Sequence, residues 1–274
     1  MGIGAYSRAL ESAVKNGRKL MCQYCGEESL AVGRLGMCSS CELPVVSDLE
    51  TLQASTQSFA GIMNIKKLIA DNDYDNAAEA YGELYTSSKD QAYLYAEALL
   101  RIRQSNMQIA GIRYDRPGFM EENSTLRDNG ARLASVARGL LNDAVNACTP
   151  QLGEQRAPLG VAYLSFSCHV KLSNLREAEV LQQKIQGIDN SYIGIYSRMV
   201  LDTNLGKPES VIGNAERLLK PEAFSINALF YISMALFDMK RYKDSKELLE
   251  MLQPHIQNGQ TMMLAAEIDA ATHV

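Results

Sequence analysis

The sequence predicts a mainly α protein: an α-solenoid of antiparallel helix pairs, with a small cysteine-held β-hairpin near its N-terminus. Three observations predict it. From about residue 48 onward Ala, Leu, Glu, Lys and Gln dominate and strand-type alternation is absent, the composition and period of helices. A polar turn followed by an aromatic, Leu or Pro residue recurs at near-constant spacing. Four of the six cysteines fall within one 20-residue window. The 274 residues correspond to one or two domains, and the division predicted is a 1–47 module followed by a 48–274 helical repeat domain.

Composition narrows the function classes. Apolar residues at 46% and charged residues at 22% exclude a mainly disordered chain. No stretch approaches the ~18–20 unbroken apolar residues of a membrane span. Met1 to Arg18 has scattered charges and no apolar run, so no secretory signal is read there, and a cytoplasmic protein is expected. A net charge of −5 argues against generic polyanion binding.

Residues 4–16 read as a short amphipathic helix, with Tyr6, Leu10 and Val14 on one face. The cysteines follow as Cys22-Gln-Tyr-Cys25 and Cys38-Ser-Ser-Cys41. A Cys-x-x-Cys turn aims two sulfurs at one point, and two such turns on a hairpin supply a closed tetrahedral four-thiolate site suited to one structural Zn²⁺. Gly26, just after the first pair, suits the positive φ such a turn needs. Leu20 and Met21 before the first pair, and Leu43, Val45 and Val46 after the second, read as short strands. Disulfides compete for these cysteines but fit a reducing compartment poorly. A redox Cys-x-x-Cys fits less well still, because no thioredoxin-like βαβ pattern surrounds it. Over residues 20–46 the chain resembles the zinc-ribbon family, in which two knuckles clamp one zinc on a small β-hairpin. Residues 1–50 carry five Lys/Arg against six Asp/Glu, so the module is not basic.

The helical turns are centred on Tyr74, Leu175, Pro208 and Tyr242, at spacings of 101, 33 and 34 residues; the first is close to three units of 34. A small residue follows three positions later, as at Ala77, Ala178 and Ser245. Leu229, Ile232, Ser233, Ala235, Tyr242, Ser245 and Leu249 form a large–large–small–small series. A helix–turn–helix period of ~34 residues is that of tetratricopeptide repeats, and the chain resembles that family over about five helix pairs. Arg198 and Asp202 fall where this pattern wants apolar residues, so the register of their repeat reads as shifted. Gln260 onward reads as a capping helix. Cys148 and Cys168 read as small core residues.

Between about 105 and 124 the period breaks, with Arg116-Pro117-Gly118 as a turn. Thr125-Leu126-Arg127-Asp128 then reads as a capping box opening a helix that Pro150 stops. Residues 101–138 hold seven Arg against four acids, a local excess of positive charge. Arg101, Arg103, Arg113 and Arg116 are therefore candidates to grip an acidic or phosphorylated partner; the alternative is pairing with acids on neighbouring helices.

No phosphate-binding Gly loop, His-Glu-x-x-His or Gly-x-Ser-x-Gly is present, and the expectation is a protein without catalytic residues. The repeat resemblance implies a binding module whose concave face holds a protein segment, and it directs Tyr163, Ser167, Phe230 and Met234 towards that face. Only Lys66 lies near a position where the family clamps a C-terminal carboxylate, which disfavours that ligand. The functional expectation is a zinc-binding protein–protein interaction scaffold or adaptor. The alternative is a nucleic-acid- or ribosome-associated factor using the ribbon and the Arg-rich segment. Self-association is compatible with either.

Overall fold

The computed structural model describes residues 2–31, 35–46, 56–110, 120–154, 157–220, 224–256 and 259–272. Among them are twelve helices and four short strands. In chain order they are α1 (Ile3–Asn16), β1 (Arg18–Met21), β2 (Glu28–Ala31), β3 (Leu35–Met37) and β4 (Pro44–Val46). There follow α2 (Thr56–Ala70), α3 (Tyr74–Ser88), α4 (Ala92–Ala110), α5 (Met120–Leu152), α6 (Leu159–Lys171) and α7 (Leu175–Ile188). The chain closes with α8 (Tyr192–Asn204), α9 (Pro208–Arg217), α10 (Ile226–Asp238), α11 (Tyr242–Leu252) and α12 (Gly259–Thr272). The mainly α class holds, and the helices pack in neighbouring pairs, as a helical repeat requires.

Each of the four turns picked out in the sequence has the same backbone. The residue two places before Tyr74, Leu175, Pro208 and Tyr242 is left-handed: Asn72 at φ 59°, Ser173 at 60°, Gly206 at 64° and Lys240 at 60°. A left-handed residue just past a helix end folds the chain back on its own last carbonyls. Asp73 N–H accordingly reaches the Leu68 carbonyl at 2.8 Å, Lys207 the Asp202 carbonyl at 3.0 Å, and Arg241 the Leu236 carbonyl at 2.8 Å. The first helices α6, α8 and α10 start 33 and 34 residues apart.

Three expectations are corrected. Of the stretch 105–124, expected to be irregular, the described residues are helix: α4 runs to Ala110 and α5 begins at Met120. Thr125 is therefore inside α5 and not at its cap. Pro150 also lies inside α5; it removes a single N–H near the helix end, which a last turn tolerates better than a helix interior. On α1 the third buried residue is Ala13, while Val14 is half-exposed, because a 3.6-residue turn moves the stripe from i+8 to i+7. The 47–55 linker and the Arg116-Pro117-Gly118 turn lie outside the described residues.

The described chain separates into two compact units. One comprises Gln23–Gly26 with Gln53–Ser173, the other Met1–Cys22, Glu27–Leu52 and Asn174–Val274. In the first, Ile62, Ile65, Ala77, Ala78, Tyr81, Tyr93, Ala96 and Leu100 form the core of α2, α3 and α4. The knuckle tip packs on it. Tyr24 meets Tyr93 edge-on at 5.8 Å, and Lys66 Nζ donates to the Gly26 carbonyl at 3.0 Å. Gly26 is at φ +72° and a Cβ there would lie 3.1 Å from Ile62, so both conformation and space favour glycine. Further along, Ser105 Oγ donates to the Gly130 carbonyl at 2.8 Å, tying α4 to α5.

In the second unit α8 to α12 stack in order. Ser233 of α10 and Ser245 of α11 exchange bonds with each other's carbonyls, Oγ to O at 2.9 and 2.7 Å. Only small side chains let two helix backbones come that close. Arg198 and Asp202 lie on α8, which starts 33 residues after α6 and 34 before α10. The Asp202 carboxylate is fully buried and is held by Arg198 Nη2 at 2.9 Å, Ser210 Oγ at 2.5 Å and Asn214 Nδ2 at 3.2 Å. Three polar side chains thus surround a buried carboxylate where the sequence pattern expects an apolar contact.

Candidate metal centre and the surface that holds it

Two antiparallel hairpins carry the cysteines. β1 pairs with β2 in the register Arg18–Ala31 to Met21–Glu28, and β3 pairs with β4 from Leu35–Val46 to Met37–Pro44. Each hairpin ends in a knuckle closed the same way: Cys22 N–H donates to the Glu27 carbonyl at 2.8 Å, and Cys38 N–H to the Leu43 carbonyl at 2.9 Å. The residue after each pair is left-handed, Gly26 at φ 72° and Glu42 at 59°. The sequence marks the first of these positions; the second uses a residue with a Cβ. Ser40 and Cys41 N–H point at Cys38 Sγ at 3.4 and 3.5 Å, donors that favour a thiolate. Ser39 N–H donates to Ser29 Oγ at 3.0 Å, linking the second knuckle to β2.

The four sulfurs of Cys22, Cys25, Cys38 and Cys41 all lie within 4.8 Å of one another. Cys22, Cys38 and Cys41 are buried and Cys25 is half-buried. Two thiolates on one tetrahedral Zn²⁺ with bonds near 2.3 Å stand about 3.8 Å apart; the Cys22 and Cys41 sulfurs are 3.6 Å apart. The donor set therefore fits one metal ion with no position left open. Cys148 and Cys168 are both fully buried, and burial pushes the Cys148 thiol up to about 11 and that of Cys168 higher still. Neutral, buried thiols of this kind pack as small core residues.

Two side chains of α10 grip the second knuckle. Asn227 Nδ2 donates to the Cys38 carbonyl at 3.0 Å and to Tyr196 Oη of α8 at 3.0 Å. Tyr231, one turn on, donates its hydroxyl to Glu42 Oε1 at 2.8 Å and meets Tyr196 edge-on at 6.2 Å. Helix α1 joins the same unit through Tyr6, whose hydroxyl donates to Glu216 Oε1 of α9 at 2.8 Å; burial, with that bond, pushes the Tyr6 phenol well above its usual range. Burial likewise pushes Tyr192 on α8 up to about 12.

This changes the reading of the groove residues. Tyr163, Ser167 and Phe230 are buried, and of the four only Met234 is partly exposed. Ser167 Oγ donates to the carbonyl of Tyr163 at 2.9 Å, and Phe230 packs edge-on against Tyr231. Three of the four thus pack inside the chain, and Met234 reaches solvent in part. Sequence reasoning misses Asn227 and Tyr231: on an apolar helix their polar atoms are the only signal. In the Arg-rich stretch, Arg101 pairs with Asp75 of α3 at 2.6 Å and holds that carboxyl below its usual range. Arg103 lies over the Tyr74 ring at 5.9 Å. Arg113 and Arg116 lie outside the described residues.

Compared with family models, with curated proteins and with solved structures, the chain finds no match. No described helix is long and apolar enough to cross a membrane.

Proposed function

We propose that this chain is a zinc-stabilised scaffold or adaptor without catalytic activity, built on tetratricopeptide-like helix pairs that bind a protein segment. The observation that carries the reading is the repeated pair. Each of the four turns has one left-handed residue at the same place, and helices stack on their neighbours. Stacked pairs of this kind offer long surfaces for another chain. Zinc is the metal chosen because four thiolates in a closed set suit it best, and such sites staple folds and do no chemistry. Zinc binding at sites of this kind supplies about 10–16 kcal/mol in small peptides, more than four short strands gain by burial. A reducing cytoplasm is the compartment that keeps four thiols available to a metal.

The test is affinity capture on the full chain, with and without nuclease and at low and high salt. A stoichiometric protein retained through both treatments supports the scaffold. Recovery of nucleic acid, or of proteins that leave with nuclease or salt, overturns it, because phosphate-driven binding weakens by a slope of ~0.7–0.9 per phosphate neutralised.

A further inference from the structure

The second knuckle is joined to α10 at the backbone of one candidate ligand, Cys38, and at the side chain of Glu42, just after Cys41. The Cys38 carbonyl accepts two bonds, from Glu42 N–H at 3.1 Å within the knuckle and from Asn227 Nδ2 at 3.0 Å across 189 residues of chain. Both hydrogens of the Asn227 amide are used, the other going to Tyr196, and the residue is 4% exposed. Glu42 adds an asymmetry. It occupies the left-handed position that the first knuckle fills with Gly26, where a side chain is disfavoured, and it spends that side chain on Tyr231. The turn that presents Cys38 and Cys41 to a metal is thus the turn that α10 holds.

We propose that metal loading and the covering of this face are one linked equilibrium: the ribbon is an intramolecular lid whose seat on Asn227 and Tyr231 of α10, backed by Tyr196 of α8, exists only while the four cysteines hold their ion. This rests on the zinc reading above. Without the ion the Cys38–Cys41 turn keeps only its few hairpin and backbone bonds, too little to hold its carbonyl and the Glu42 carboxylate in place against α10. Linkage is reciprocal. Metal removal uncovers the face, and weakening the face weakens the metal. Asn227 and Tyr231 are positioning residues for a site they do not ligate, in the sense that outer partners of metal ligands tune affinity.

The experiment uses the full chain with zinc content measured directly. Backbone hydrogen exchange is compared with zinc bound and after chelation, in α8, α10 and the reference helix α6, for which no contact with either knuckle is described. The linkage predicts exchange in α8 and α10 rising at least ~10-fold on zinc removal with α6 unchanged. Zinc lost with no change in α8 and α10 overturns the linkage alone. A chain that takes up no zinc overturns the metal reading and the linkage with it. A second measurement runs the cycle the other way, by competitive zinc titration against a chelator of known affinity. Asn227→Leu keeps every cysteine and should weaken zinc binding about 10-fold, within the range found for outer-shell partners. Tyr231→Phe should weaken it by a smaller factor. Wild-type zinc affinity in a folded Asn227→Leu chain overturns the proposal.

Discussion

The pairs α8/α9 and α10/α11 have the same turn and nearly the same length, and they are glued by different chemistry. In α10/α11 the helices touch through two serines bonded to each other's backbones, with Leu248, Leu249 and Leu252 buried on α11. In α8/α9 the contact is a buried carboxylate with three side-chain partners. A repeat fold thus fixes where two helices meet but not what they meet with. An apolar contact needs only shape, whereas a polar one needs every partner in place, so the two pairs should respond very differently to single substitutions.

The largest contrast is expected from Asp202→Ala. Removing one member of a buried ion pair strands the others, and the cost should be about 3 kcal/mol, the low end for buried pairs because Arg198 is partly exposed. Denaturant unfolding checks this; a loss under ~1 kcal/mol would mean the network is ornamental to α8/α9. Next is Gly194→Ala, also in α8. A Cβ there would collide with the Asp189 backbone carbonyl, and Asp189 caps α8 by accepting from Ile193 N–H at 2.8 Å. The expected cost is about 2–3 kcal/mol, read in the same unfolding assay.

The turns sharpen the comparison from the other side. Gly206 and Lys240 hold equivalent left-handed positions. Gly206→Ala meets no neighbouring atom within 4 Å, so its cost of about 1 kcal/mol is purely conformational. Lys240→Gly should do the opposite, stabilising by up to about 1 kcal/mol, visible as a melting temperature above wild type. If both substitutions move stability in the same direction, the turns are not equivalent.

How much of this is legible in the sequence follows from the range of each interaction. The knuckles and the helical turns are made by residues within a few positions of one another, and spacing reveals them: Cys22 to Cys41, and Tyr74, Leu175, Pro208 and Tyr242 two places after each left-handed residue. The Arg198–Asp202 pair is visible at i, i+4 spacing but reads as a fault in the register, because the pattern has no place for a buried charge. The extents of α4 and α5 are hidden by polar residues such as Asn106 and Asn123 that lie on long helices. The seat of the ribbon is not legible at all. Asn227 and Tyr231 bond to residues 189 positions away, and no periodicity reports a contact of that separation.

That separation also has a meaning in time. A chain made at about 5–20 residues per second releases its knuckles well ahead of its last helices, and the 189 residues to Asn227 and Tyr231 take roughly 10–40 seconds more to synthesise at that pace. Through that interval the four thiols have no α10 to lie against, and only their close spacing in the chain and the two hairpins bring them together. All four candidate ligands are thus made before the surface on which the second knuckle rests.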